Sequence, residues 1–341
     1  MIRKKTVILV KLCFSISLFF MFTLSSSCQQ SDESKIRVLL DTDANNELDD
    51  QHAMAYLFFN GDVFDVVGVT VNATQSGGAI DAQYQEAKRV MQLCKVYGKI
   101  PLLKGANASF EAILPRISAS DFDGAEAVDF IIDQAHKAGK EKLVLLPVGK
   151  LTNIALALEK DPSIAKKVRI VWLGSNYPEP GEYNQDNDRA SLNYVLNMDV
   201  PFEMVTVRYG KPSGTAAVTA NRAEIKANMP GKGPKADSPV EGRHGGTFVY
   251  FGDYSVNLYE HIHTSDAAGT RALFDMAAVA ILKNPAWAEK KTVPAPVLVD
   301  GKWRERPGND RKIIVWENFR KDEIMQDFYY RMENYVLPAP Y

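Results

Sequence analysis

Five apolar runs, at 36–41, 63–71, 142–148, 169–174 and 202–207, are separated by segments of helical periodicity near 49–59, 79–97, 123–138, 151–160 and 187–197. Runs this apolar read as strands buried on both faces. Strands that alternate with helices need crossover connections, and an open, mostly parallel sheet flanked by helices satisfies them. The expected fold class is therefore α/β. A polar stretch at 209–246, rich in Gly, Lys, Pro and Ala, has no clear periodicity; loops of that length are functional or mobile. A helix over 266–283, short strand-like runs at 296–299 and 312–316, and an amphipathic helix at 321–335 follow. No shift in composition marks a linker, so residues 36–341 read as one large domain.

Upstream of the first strand the chemistry changes. Arg3, Lys4 and Lys5 open the chain, an apolar stretch runs to Leu24, and small residues lead to Cys28. That is the layout of a secretory signal peptide. Leu24-Ser25-Ser26-Ser27-Cys28 resembles a bacterial lipoprotein box, with Ser25 where Leu is usual, and a polar Gln-Gln-Ser-Asp-Glu-Ser segment follows. The expectation is a signal peptide over 1–27, lipid on Cys28, a tether over 28–35, and export to the periplasmic or outer-membrane side of a bacterium. An ordinary cleaved signal and an uncleaved anchor are the alternatives. Cleavage before Cys28 removes Arg3, Lys4, Lys5 and Lys11 and no acid, taking the formal net charge from −2 to about −6. A chain with this balance has no basic field for a nucleic-acid polymer, and it meets the membrane only through the lipid. Cys13 leaves with the signal and Cys28 carries lipid, so Cys94 stands alone and no disulfide framework forms within the chain. Cys94 falls in a helical run and reads as a small buried hydrophobe.

The first strand runs into Asp41-Thr42-Asp43-Ala44-Asn45-Asn46-Glu47-Leu48-Asp49-Asp50, with five carboxylates in ten residues. Such groups repel one another, and a compact fold pushes some of their pKa values up. A hard divalent cation removes that cost, since Ca²⁺ favours oxygen ligands. Open α/β sheets bind ligands outside the carboxyl ends of their strands, where this cluster falls. A solvated acidic turn with Asp49 near a helix start is the plainer alternative. An EF-hand is excluded: Asp41, Asp43 and Asn45 fit its first, third and fifth positions, but Asn46 replaces the required Gly and His52 the required Glu.

Asp41-Thr42-Asp43 followed by Asp49-Asp50 resembles the metal motif of the inosine-uridine preferring nucleoside hydrolases, in a divergent branch, because five residues rather than three separate Asp43 from the pair. Three more segments resemble the family in the same order: Val148-Gly149-Lys150-Leu151-Thr152-Asn153, Trp172-Leu173-Gly174-Ser175-Asn176 continuing to Glu182-Tyr183-Asn184, and Leu273-Phe274-Asp275. The likeness spans roughly 36–317. It implies a Rossmann-like nucleoside-hydrolase fold and Ca²⁺-dependent hydrolysis of the N-glycosidic bond of ribonucleosides or related ribosides.

The resemblance implies that Asp43, Asp50, Asp275 and the Thr152 carbonyl hold Ca²⁺, and that Asp43 activates a metal-bound water. It implies that Asp49, Asn176, Glu182 and Asn184 grip the ribose, and Asp41 supports the shell by hydrogen bonding. Many members carry a His before the last metal Asp as the acid for the leaving base; Phe274 stands here and cannot donate a proton. His244, His261 and His263 are candidate replacements, and Asn72 or Gln75 faces the sugar. His136 reads as a surface helix residue. Tyr250, Tyr254 and Tyr259 either line a lid or pack in the core. The partner is a small nucleoside or riboside; a homo-oligomer is compatible with the sequence. A metal-containing nucleoside- or carbohydrate-binding lipoprotein without catalysis is the alternative function, because fold does not fix activity; a solute receptor for transport would not need the acid cluster.

Overall fold

The computed structural model describes residues 35–264 and 266–338. The expected signal segment, Cys28 and all of the tether except Lys35 lie outside the described residues. A central sheet of eight strands is built from β1 (Ile36–Thr42), β2 (Phe64–Val71), β3 (Leu102–Lys104), β4 (Leu143–Pro147), β5 (Val168–Ser175), β6 (Phe202–Thr206), β7 (Glu289–Pro294) and β8 (Lys312–Glu317). Their spatial order is β7-β8-β6-β5-β4-β1-β2-β3. Every pairing is parallel except β7 with β8. The expected open, mostly parallel sheet is therefore present.

The main helices are α1 (Asp49–Phe58), α2 (Ile80–Leu93), α3 (Ala125–His136), α4 (Thr152–Lys160), α5 (Arg189–Asn197), α6 (Phe251–His261), α7 (Phe274–Lys283) and α8 (Lys321–Glu333). One core packs α1, α2, α6, α7 and α8 on one face of the sheet, and a second packs α3, α4 and α5 on the other. The chain leaves β1 for α1 on the first face and leaves β4 for α4 on the opposite one. β1 and β4 are adjacent, with Asp41 paired to Pro147, so the loops diverge between them. This is the topological switch point where open α/β sheets hold ligands.

Several elements depart from expectation. The helix placed over 266–283 begins only at Phe274; Arg271 and Ala272 instead pair antiparallel with Ala220 and Thr219. The run at 296–299 joins a separate two-stranded ladder, Val297–Val299 with Lys302–Arg304, while 312–316 enters the main sheet as β8. Within 209–246 there is a short helix, Arg222–Asn228, closed by a capping box from Asn221 and Glu224. Tyr254 and Tyr259 sit on α6, buried in the core. Cys94 caps α2 and is buried, which pushes its thiol well up. His136 ends α3, exposed, and pairs with Asp161. No helix of the described residues is long and apolar enough to cross a membrane.

Candidate active site

The polar residues of the sheet collect at the carboxyl end of β1 and its neighbours. Asp41, buried, accepts hydrogen bonds from Thr70 Oγ1 (2.7 Å), Asn153 Nδ2 (2.8 Å) and Asn72 Nδ2 (3.1 Å). One carboxylate thereby ties β1 to β2 and to α4. Asp43 follows, and its Oδ2 accepts from Thr74 Oγ1 at 2.6 Å. Gly149 passes close behind: a Cβ there would lie 2.7 Å from Asp43 Oδ1 and 2.8 Å from the Asn72 amide. Only glycine fits that approach.

Asp49 and Asp50 occupy the first turn of α1, where the helix dipole favours negative charge. Thr42 Oγ1 donates to Asp50. Asp275 occupies the first turn of α7, which packs against α1. Carboxylate oxygens of Asp49, Asp50 and Asp275 lie within 4.8 Å of one another. With Asp43 and Glu182 they line a cavity of about 300 Å³, and all five are 1–7% exposed. Among the described residues no Lys, Arg or His forms an ion pair with any of them.

Burial raises these groups, and no ion pair offsets it among the described residues. Asp43 is pushed up to about 6, by burial against the opposing bond from Thr74. Asp49 and Glu182 are pushed up to about 7, again chiefly by burial, with Asp43 adding repulsion. Asp50 and Asp275 are raised well above the usual carboxylate range by burial and by their acidic neighbours. Asp41 rises to about 7 through burial, although three side-chain bonds oppose it. Several buried carboxylates gathered at one cavity, with no ion-pair partner among the described residues, form an oxygen-ligand set that fits a hard divalent ion.

The remaining expected residues divide. Asn184 lines the cavity, and its Nδ2 donates to the Val148 carbonyl at 2.7 Å and the Leu173 carbonyl at 3.2 Å. Glu182 caps the short helix Tyr183–Asn187, its Oε2 accepting from Gln185 N at 2.8 Å. Thr152 does not line the cavity. It is the first residue of α4, its hydroxyl donates to Asp188, and a carbonyl at that position lies inside the helical ladder. Val148, just past β4, lines the cavity instead. Asn176 also lies outside it, its Oδ1 accepting from Tyr209 N at 3.0 Å. Neither Asn72 nor Gln75 lines it; Asn72 is used on Asp41, and Gln75 N donates to Asn187. His244, His261 and His263 line a neighbouring cleft with Arg243, and the His244 and His261 rings stack at 4.9 Å.

Three lining residues escaped the sequence reading: Tyr183, Tyr209 and Arg271. The Tyr209 ring meets the Phe274 ring edge-on, with centroids 5.9 Å apart. The cavity is thus acidic on one wall and aromatic on the other, a shape that suits a sugar bearing a flat aglycone.

This arrangement defines an α/β protein with a buried acidic centre at a sheet switch point. The family model described as inosine-uridine preferring nucleoside hydrolase matches residues 38–326, and the chain belongs to that family. An inosine-uridine preferring nucleoside hydrolase of Leishmania major is 25% identical over 287 residues, covering 78% of this chain and 84% of the relative. A plant nucleoside hydrolase superposes with a TM-score of 0.68 at 16% identity, covering 87% of this chain and 98% of the other. A purine-preferring ribonucleoside hydrolase from Gardnerella vaginalis superposes with a TM-score of 0.62 at 20% identity, over 87% and 98%. At such identities the superpositions establish the fold.

Proposed function

We propose that the protein hydrolyses ribonucleosides outside the cytoplasm, lipid-anchored through Cys28, at a site completed by Ca²⁺. The observation that carries the site is the buried cluster of Asp43, Asp49, Asp50 and Asp275, none of which has an ion-pair partner among the described residues. These carboxylates and the Val148 carbonyl would hold the ion, with Asp49 a ligand beside Asp50 and Asp275 instead of a ribose contact, and Val148 in place of Thr152. Bound there, the ion supplies Lewis acidity that eases loss of a proton from water.

Each side chain then has a task. Asp43, oriented by Thr74, takes the proton of the attacking water. Glu182 and Asn184 hold ribose hydroxyls. The carboxylate wall also favours the positive charge that develops on the sugar. Phe274 and Tyr209 exclude water from the aglycone and offer it ring faces and edges. The non-catalytic binding alternative is not favoured by the family match.

Asp43→Asn tests this assignment, because it keeps the size and one ligand oxygen but removes the base. Hydrolysis should fall by about 10² to 10⁴, the usual range for a positioned base, while calorimetric binding of a riboside falls much less. A mutant as active as the parent would remove Asp43 from the mechanism.

A further inference from the structure

The cavity lining includes a cationic group that the reaction described so far does not use. Among the described residues lining the cavity, Arg271 is the only cation. Its position comes from the short ladder with Ala220, not from a helix. Glu47, on the loop between Asp43 and Asp49, pairs with it. The guanidinium carbon lies over the Phe274 ring, 5.6 Å from the centroid. Arg271 Nε is buried and has no hydrogen-bond partner. A buried donor left without an acceptor is costly, and Arg271 lines the binding cavity, where a ligand can supply one.

Cleavage of an N-ribosidic bond creates that acceptor. The water oxygen bonds to C1′, one water proton passes to Asp43, and the C1′–N electron pair stays on the base nitrogen. Phe274 cannot protonate it, and the three histidines line another cleft. Resting on the nucleoside-hydrolysis reading, we propose that Arg271 is a further catalytic residue that hydrogen-bonds the departing base above Phe274 and stabilises its negative charge. The guanidinium keeps its own protons throughout, so the base takes its proton from solvent on release and Asp43 returns one. The bases this suits present acceptors along an edge, as a 6-oxopurine does with O6 and N7, the pair that guanidinium groups read in guanine.

The test compares Arg271→Met and Arg271→Lys with the parent, full chain and Ca²⁺ present, on inosine and on p-nitrophenyl riboside. The nitrophenolate leaves as a stabilised anion and needs little help. Arg271→Met should lose about 10² to 10³ in kcat on inosine, the usual cost of removing one preorganised donor to developing charge. It should change little on p-nitrophenyl riboside, Arg271→Lys should recover part of the loss, and hypoxanthine should bind the Met variant more weakly by calorimetry. An unchanged Ca²⁺-induced rise in Tm shows that the variants retain the site. Equal losses on both ribosides, or full activity on inosine, would overturn the role of Arg271 alone. Cleavage of neither riboside by the parent would overturn the hydrolysis reading and this role together.

Discussion

Removing the cation should destabilise the protein in a way that depends steeply on pH. At a free Ca²⁺ concentration near 100 times Kd, linkage stabilises the native state by about 2.7 kcal/mol, and at roughly 2–4 °C per kcal/mol for a domain of this scale the Tm rises by about 5–10 °C. That holds where the ligands have lost their protons. Asp43 titrates near 6 and Asp49 near 7 in the ion-free fold, both raised by burial. At pH 5 the ion must displace the protons that burial holds on these carboxylates, and the stabilisation present at pH 8 shrinks accordingly. The chelated protein behaves in the opposite sense. Carboxylates raised in the fold contribute stability below the usual carboxylate pKa, and that contribution is lost as pH climbs toward 7. Differential scanning fluorimetry with Ca²⁺ or chelator, from pH 5 to 8, should therefore show two curves that nearly coincide at pH 5 and separate above pH 6. A constant gap across that range, or no gap at pH 8, would show that these carboxylates do not bind the ion in competition with protons.

His244→Ala, His261→Ala and His263→Ala should each leave kcat on inosine within a small factor of the parent, because the three rings line the neighbouring cleft; steady-state kinetics check this, and a loss of about 10² or more, the scale of a positioned acid, would return one of them to the reaction. Cys28→Ala should abolish incorporation of labelled fatty acid in the producing bacterium and shift the protein from the membrane to the soluble fraction; unaltered labelling would remove the lipid anchor.

The parts of the site legible in the sequence share a property: they are local. Asp41, Asp43, Asp49 and Asp50 follow one buried strand and open one helix, so strand polarity and charge density suffice to bring them to a single edge. Glu182, Asn184 and Asp275, the last more than 200 residues away, were reachable only through the family resemblance. Arg271 was not reachable, because its direction is set by a two-residue ladder with Ala220, a pairing with no periodic signature. β7 escaped for a related reason: Glu289, Lys290 and Lys291 are exposed edge positions, and charges that protect a sheet edge also hide the strand. The resemblance implied the Thr152 carbonyl; in the structure α4 begins at Thr152 and claims the carbonyl of its own first residue, and Val148 lines the cavity instead.

The most direct measurement is product release. Purified protein with Ca²⁺ should be incubated with inosine, uridine, adenosine and cytidine, and free base and ribose quantified together. The account predicts equimolar base and ribose from at least one nucleoside, abolished by a chelator and restored by added Ca²⁺. No release from any of them, with Ca²⁺-dependent stabilisation and riboside binding intact, would contradict it and leave a metal-containing nucleoside-binding protein in its place.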